Sequence, residues 1–106
     1  MNAEQYIEST AFIDADFCLI CNGDRMINAR IFDGDIVYIR QQDTVENGEI
    51  AAVLIDGEAT LGRVWFSGGF TIIEPANPLY RSHVFQDGDK VSIVGKVVAF
   101  TSVIES

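Results

Sequence analysis

The sequence is poor in the residues that enzymes and nucleic-acid binders rely on. Its 106 residues hold one histidine, two cysteines and two prolines, and seven Lys and Arg stand against sixteen Asp and Glu, a formal net charge of −9 at pH 7. A balance of this sign disfavours direct contact with a nucleic-acid backbone, which is bound by clustered cations that displace counterions. A Ser-His-Asp triad has only His83 to build on. That residue lies in the polar stretch Tyr80-Arg81-Ser82-His83-Val84, just past Asn77-Pro78, and reads as a surface or loop histidine with no catalytic duty. The longest apolar runs, Ile50–Ile55 and Val97–Phe100, fall far short of the roughly 20 residues that span a bilayer, so no membrane helix is expected. Met1-Asn2-Ala3-Glu4-Gln5-Tyr6 carries acid where a secretory signal carries base, which makes a cytoplasmic location the default. No glycine cluster forms a phosphate-cradling loop and no D-x-D-x-D-G calcium loop occurs, so neither a cofactor nor a metal is expected. Cys18 and Cys21 form a lone C-x-x-C without a second pair or a nearby His. On a strand the two would face opposite ways, which suits two reduced, packing cysteines.

What the chain has in abundance is turn chemistry. Asn22-Gly23, Asp33-Gly34, Asn47-Gly48, Asp56-Gly57, Gly68-Gly69 and Asp87-Gly88 separate short runs rich in Val, Ile and Phe, the rhythm of an all-β domain. Strands are expected at Phe17–Cys21, Asp35–Arg40, Glu49–Ile55, Ala59–Phe66, Phe70–Glu74 and Lys90–Phe100. The middle three should form a meander, with Asp56-Gly57 as a type I′ turn and Ser67-Gly68-Gly69 closing the next hairpin. Trp65 and the phenylalanines alternate within these runs, which favours core positions over a nucleic-acid stacking platform. The fold class is therefore mainly β with one short helix. That helix covers a turn or two through Arg25-Met26-Ile27-Asn28-Ala29-Arg30, capped by Asp24 and stopped by Asp33-Gly34. Residues 1–16 read as a lead-in segment and 17–106 as one domain.

Five landmarks in order carry a resemblance. Gly23-Asp24-Arg25-Met26 through Ile31-Phe32-Asp33-Gly34-Asp35 resembles the G-x-S-M…D-G-D signature of the LexA-like serine peptidases, the family of SOS repressor, UmuD and phage-repressor C-terminal domains. Asn47-Gly48-Glu49-Ile50, Glu58-Ala59-Thr60-Leu61-Gly62-Arg63, Glu74-Pro75-Ala76-Asn77-Pro78-Leu79-Tyr80 and Ile93-Val94-Gly95-Lys96-Val97-Val98 follow the same family's N-G-D/E, E-x-T-[VL]-K-R, P-x-N-P-x-[YF] and I-x-G-x-V segments. The resemblance implies a LexA/signal-peptidase-like β fold, a peptide cleft lined by Asp24 and Met26, and homodimerisation through the C-terminal strand, with Val97, Ala99 and Phe100 as contact residues. It also implies a recombinase-type co-effector, an SOS-type role, and DNA reached only through an upstream domain outside this chain.

Both catalytic positions depart from that pattern. The family's nucleophilic Ser is replaced by Arg25 and its general-base Lys by Gly62. A Ser-Lys dyad needs a hydroxyl beside a lysine whose pKa burial has lowered. Arg25 offers no nucleophilic oxygen and a guanidinium that stays protonated, and Gly62 offers no side chain. Lys90 and Lys96 match no catalytic landmark, and residues 1–22 hold no glycine for the family's Ala-Gly cleavage bond. The sequence thus reads as a catalytically inactive regulatory and dimerisation domain of a LexA-like repressor. The alternatives are an inactivated copy of an active Ser-Lys self-cleaving peptidase and a pseudo-peptidase that holds a peptide uncut. If the cleft persists, Arg25 is expected to fill the space vacated at Gly62 and to pair with a carboxylate. Without that history, Arg25 would be an exposed residue after a helix cap and Gly62 a strand glycine needed for close approach.

Overall fold

A computed structural model describes residues 13–86 and 88–102. Most of the 1–16 lead-in, and Asp87 of the Asp87-Gly88 turn, lie outside the described residues. Seven strands form one antiparallel sheet: β1 (Phe17–Ile20), β2 (Ile36–Gln41), β3 (Ile50–Ile55), β4 (Glu58–Ser67), β5 (Phe70–Glu74), β6 (His83–Gln86) and β7 (Val91–Thr101). Their order is β1-β2-β7-β3-β4-β5-β6, so the last strand lies inside the sheet, between β2 and β3.

The expected meander is present. Ile55 pairs with Glu58 around Asp56 and Gly57, whose φ angles of 50° and 84° are those a type I′ turn demands. Ser67 pairs with Phe70 around Gly68-Gly69. One strand escaped the sequence reading: His83–Gln86 pairs with Phe70–Ile73, which makes His83 the first residue of β6 and not a loop residue. Its polar flanks hide a strand whose one partner among the described residues is β5.

β3 shows why its whole run is apolar. Ala52 enters one core with Cys21, Met26, Ile31, Val37 and Ile39, while its neighbours Ala51 and Val53 enter a second with Val45, Val64 and Ile73. A strand buried on both faces has no polar positions to spare. Cys18 packs with Ile36 and Tyr38, apart from Cys21, and both thiols are free and buried.

β7 joins the two halves of the sheet with two bulges. Tyr38 pairs with Ala99 and Ile39 with Val97, which leaves Val98 extra; Ala52 pairs with Gly95 and Val53 with Ile93, which leaves Val94 extra. Between them, a Cβ on Gly95 would stand 2.7 Å from Ile39 Cγ2 and closer still to the Arg40 carbonyl, so only glycine fits.

Two expectations need correction. Trp65, Phe66, Phe70, Phe32 and Phe100 are exposed by 38–49% and are not core residues. Trp65, Phe66 and Phe70 lie at the far end of the β4–β5 hairpin, around the Gly68-Gly69 turn, and Phe100 lies next to the last residue of β7, while Ile73 and Phe85 carry that arm's share of the core. The helix is a single 3-10 turn, Ile27–Ala29, entered at Met26 without a side-chain cap. Asp24 does not cap it, because its groups are engaged from across the chain, as described next. No helix among the described residues is long and apolar enough to cross a membrane.

Candidate functional site

The segment between β1 and β2 is closed at its base by Cys21 N–H to Asp35 carbonyl and Gly34 N–H to Cys21 carbonyl, both 2.8 Å, and by Gly23 N–H to Asp33 Oδ1 at 2.6 Å. Asp35, 4% exposed, accepts the Phe32 N–H at 2.8 Å. Inside this frame Met26, 1% exposed, anchors the turn in the core. Asp24 and Arg25 precede it on the outside, both exposed.

The 75–80 loop is stitched onto that turn. Asn77 Nδ2 donates to the Asp24 carbonyl and Asn28 N–H to the Ala76 carbonyl, each at 2.8 Å. The Asn77 side chain, nearly fully buried, also accepts the Leu79 N–H at 3.0 Å. The Tyr80 hydroxyl donates to Asp24 Oδ1, and Arg25 lies over the Tyr80 ring at 4.4 Å from its centroid. The Asp24 hydrogen bond, with some desolvation, holds the Tyr80 phenol above its ordinary pKa, although Arg25 opposes the shift.

Arg25 and Gly62 do not meet in the way expected. Gly62 is buried in β4, and a Cβ there would fall 2.6 Å from Ile73 Cγ2 and 3.3 Å from the Glu74 carbonyl oxygen. The space in front of Gly62 is thus taken by the β-branched Ile73, not by Arg25. Nor does Arg25 pair with a carboxylate: among the described residues the ion pairs are Arg40–Asp14 at 3.1 Å and Lys96–Glu49 at 2.5 Å. The tyrosine face provides what an acid was expected to provide.

Arg25 stands between two recesses of one groove. The first is lined by Leu19, Cys21, Met26 and Leu61 among others, and the second by Ile55, Glu58 and His83, with Asn22, Ala59 and Thr60 shared. Asp24 is absent from both linings, whereas Met26 forms part of the first wall. The groove's thiol, Cys21, is raised in pKa by burial and by the Asp35 and Asp33 carboxylates, which keeps it protonated and weakly nucleophilic at neutral pH. Among the described residues no cluster of His, Cys, Asp and Glu could hold a metal ion.

Val97, Ala99 and Phe100 lie on the second half of β7. Val91–Ile93 pair with β3, Gly95 and Lys96 with both neighbours, and Val97 and Ala99–Thr101 with β2 alone, which leaves that half one open edge. Tyr80 and Asn77 are the site residues that sequence reasoning missed. They lay within a segment noted only as a family landmark, and nothing local shows that it folds back 53 to 56 residues to the Asp24 turn.

The Peptidase S24-like family matches residues 2–98. The LexA repressor of Geobacter metallireducens is 41% identical over 90 residues, 84% of this chain and 45% of that protein. That of Nocardioides sp. is 49% identical over 83 residues, covering 78% and 32%, and that of Thermotoga maritima 40% over 99 residues, covering 90% and 50%. The chain therefore spans half or less of the length of these relatives. With the family matched over nearly the whole chain, and the turn, groove and β4 strand that carry its landmarks folded around one cleft, this chain belongs to the Peptidase S24-like family.

Proposed function

We propose that this chain is the regulatory and self-association domain of a LexA-like repressor in which the catalytic pair has been replaced, so that it controls an attached DNA-binding domain without cutting the chain. The observation that carries this reading is the state of the two landmark positions. Arg25 is stacked on Tyr80, and Gly62 is closed off by Ile73, while the scaffold around them keeps a groove. Neither side chain can serve as nucleophile or neutral base. The similarity to longer LexA repressors supports a DNA-binding part elsewhere in the full protein. The open edge along Val97–Thr101 supports an isologous contact between two copies, with Val97, Ala99 and Phe100 in it.

The test is cleavage of an Ala-Gly peptide supplied in trans at alkaline pH, where a catalytic lysine is neutral. The unaltered chain leaves the peptide intact, and Arg25→Ser with Gly62→Lys and Ile73→Leu, which withdraws the obstructing branch, restores cutting. Cleavage by the unaltered chain would overturn the proposal. Sedimentation tests the second half: a monomer at high concentration removes the dimer. A second reading, in which the groove holds a peptide uncut, is favoured by the survival of both recesses around Arg25.

A further inference from the structure

We infer that Arg25 makes this groove a receptor for the free C-terminal carboxylate of an extended peptide that ends in a small apolar residue. The inference rests on reading Arg25 as the replaced nucleophile and goes on to name the ligand class. Three observations carry it.

The first is an unspent cation. Arg25 stacks on Tyr80 but forms no ion pair among the described residues, and the neighbouring Asp24 carboxylate is occupied by the Tyr80 hydroxyl. Contact with a ring face uses none of the guanidinium's N–H donors, and on the exposed Arg25 that planar fork can still match a carboxylate. The second is an unpaired strand edge. Glu58–Gly62 pair with β3 alone, because pairing with β5 begins only at Arg63. An extended peptide can add to such an edge through main-chain hydrogen bonds. The third is the first recess, about 90 Å³ and lined by Leu19, Cys21, Met26 and Leu61, which has room for a small apolar side chain next to Arg25.

Together these set the peptide's end. A nucleophile is placed against the main-chain carbonyl carbon of the residue whose side chain fills the adjoining recess. A fixed cation in that place meets the same carbon as a carboxylate. An acidic side chain is a poorer source, because the first recess is apolar and the second presents Glu58, a like charge. The reaction class that supplies such a ligand is hydrolysis of a peptide bond after a small residue. Water adds to the carbonyl carbon, the C–N bond breaks, a proton passes to the leaving amine, and the acyl half departs as a carboxylate. The groove is then a receptor for the product of the reaction its own residues no longer perform.

Fluorescence anisotropy on the full chain tests this with fluorescein-labelled Val-Thr-Val-Thr-Val-Ala. The probe is used as free acid, as C-terminal amide, and as an amide with Glu in place of the last Val. The free acid should bind roughly 10- to 100-fold more tightly than the amide, the range expected for a charge-assisted, bidentate contact. That ratio should collapse in Arg25→Gln and shrink in Arg25→Lys; Arg25 is exposed, and the acid-to-amide comparison on the unaltered chain needs no variant. Equal binding of acid and amide overturns the inference and leaves the replaced-nucleophile reading to its own cleavage test. Absence of binding at millimolar acid, a ratio that survives Arg25→Gln, or tighter binding of the Glu-bearing amide overturns it as well.

Discussion

Gly62→Ala is the smallest change that probes the closed position on β4. The added methyl would stand 2.6 Å from Ile73 Cγ2, about 1 Å inside ordinary carbon contact, and Ile73 is only 2% exposed, held in the core with Val64 and Val53. Overpacking of this kind costs about 2 kcal/mol. Replacing glycine in a strand returns about 0.5 kcal/mol through the unfolded chain, so the net loss should be about 1.5 kcal/mol. For a domain of this size that lowers Tm by roughly 6 °C. Ile73→Ala alone should cost about 2–5 kcal/mol by opening a cavity. In that background the Gly62 methyl has somewhere to go, and Gly62→Ala should become neutral or stabilising, a coupling of about 2 kcal/mol. Urea and thermal unfolding followed by circular dichroism read all four corners of the cycle. The same penalty in both backgrounds would show that Ile73 is not what closes the position. The contact matters for function, because any lysine placed at residue 62 begins with that same Cβ.

The clip between the two loops supplies further tests. In a spectrophotometric titration the tyrosinate that Tyr80→Phe removes should form above the ordinary value of 10.0, and Asp24→Asn should bring it back down. The folded state holds this proton more tightly, so the contribution of the clip is complete below the unfolded pKa and is lost as pH rises through the folded one. An Asp24→Asn titration identical to that of the unaltered chain would refute the bond. Asn77→Ala deletes both the donor to the Asp24 carbonyl and the acceptor for Leu79 N–H at a buried position, and should cost about 2 kcal/mol. Hydrogen exchange at the Asn28 amide, which bonds to Ala76, should accelerate; unchanged protection would mean that the loop is held without Asn77.

Local chemistry wrote the meander plainly. Asp56-Gly57 and Gly68-Gly69 sit where two-residue turns need positive φ, and the runs between them alternate or fill as half-buried and doubly buried strands do. The site was legible as far as the order of its landmarks, because each is a short string of residues. What could not be read was whatever depends on a partner far along the chain. Asp24 looked like a helix cap because it precedes a helix-like run, yet its carboxylate goes to Tyr80. Arg25 seemed to need an acid, and a ring 55 positions away meets it first. β6 is short and exposed on most of its residues, so no burial pattern marks it. The expectation for Trp65 and Phe70 failed for a related reason: alternation says which face a residue takes, not whether that face is covered.

The place of β7 between β2 and β3 bears on how the chain is made. Ribosomes deliver Phe17–Ile20 and Ile36–Gln41 first and the β3–β6 arm next, but these two pieces share no strand pairing until Val91–Thr101 emerges to lie between them. Until then β2 and β3 each expose a bare, mostly apolar edge that is open to wrong partners, including the same edge on a neighbouring nascent chain. Folding must wait for contacts between residues as distant as Ile36 and Thr101, which favours slow, nearly all-or-none closure. Synthesis interrupted before β7 would therefore leave both sets of strands without the element that joins them, and no partly working domain in between.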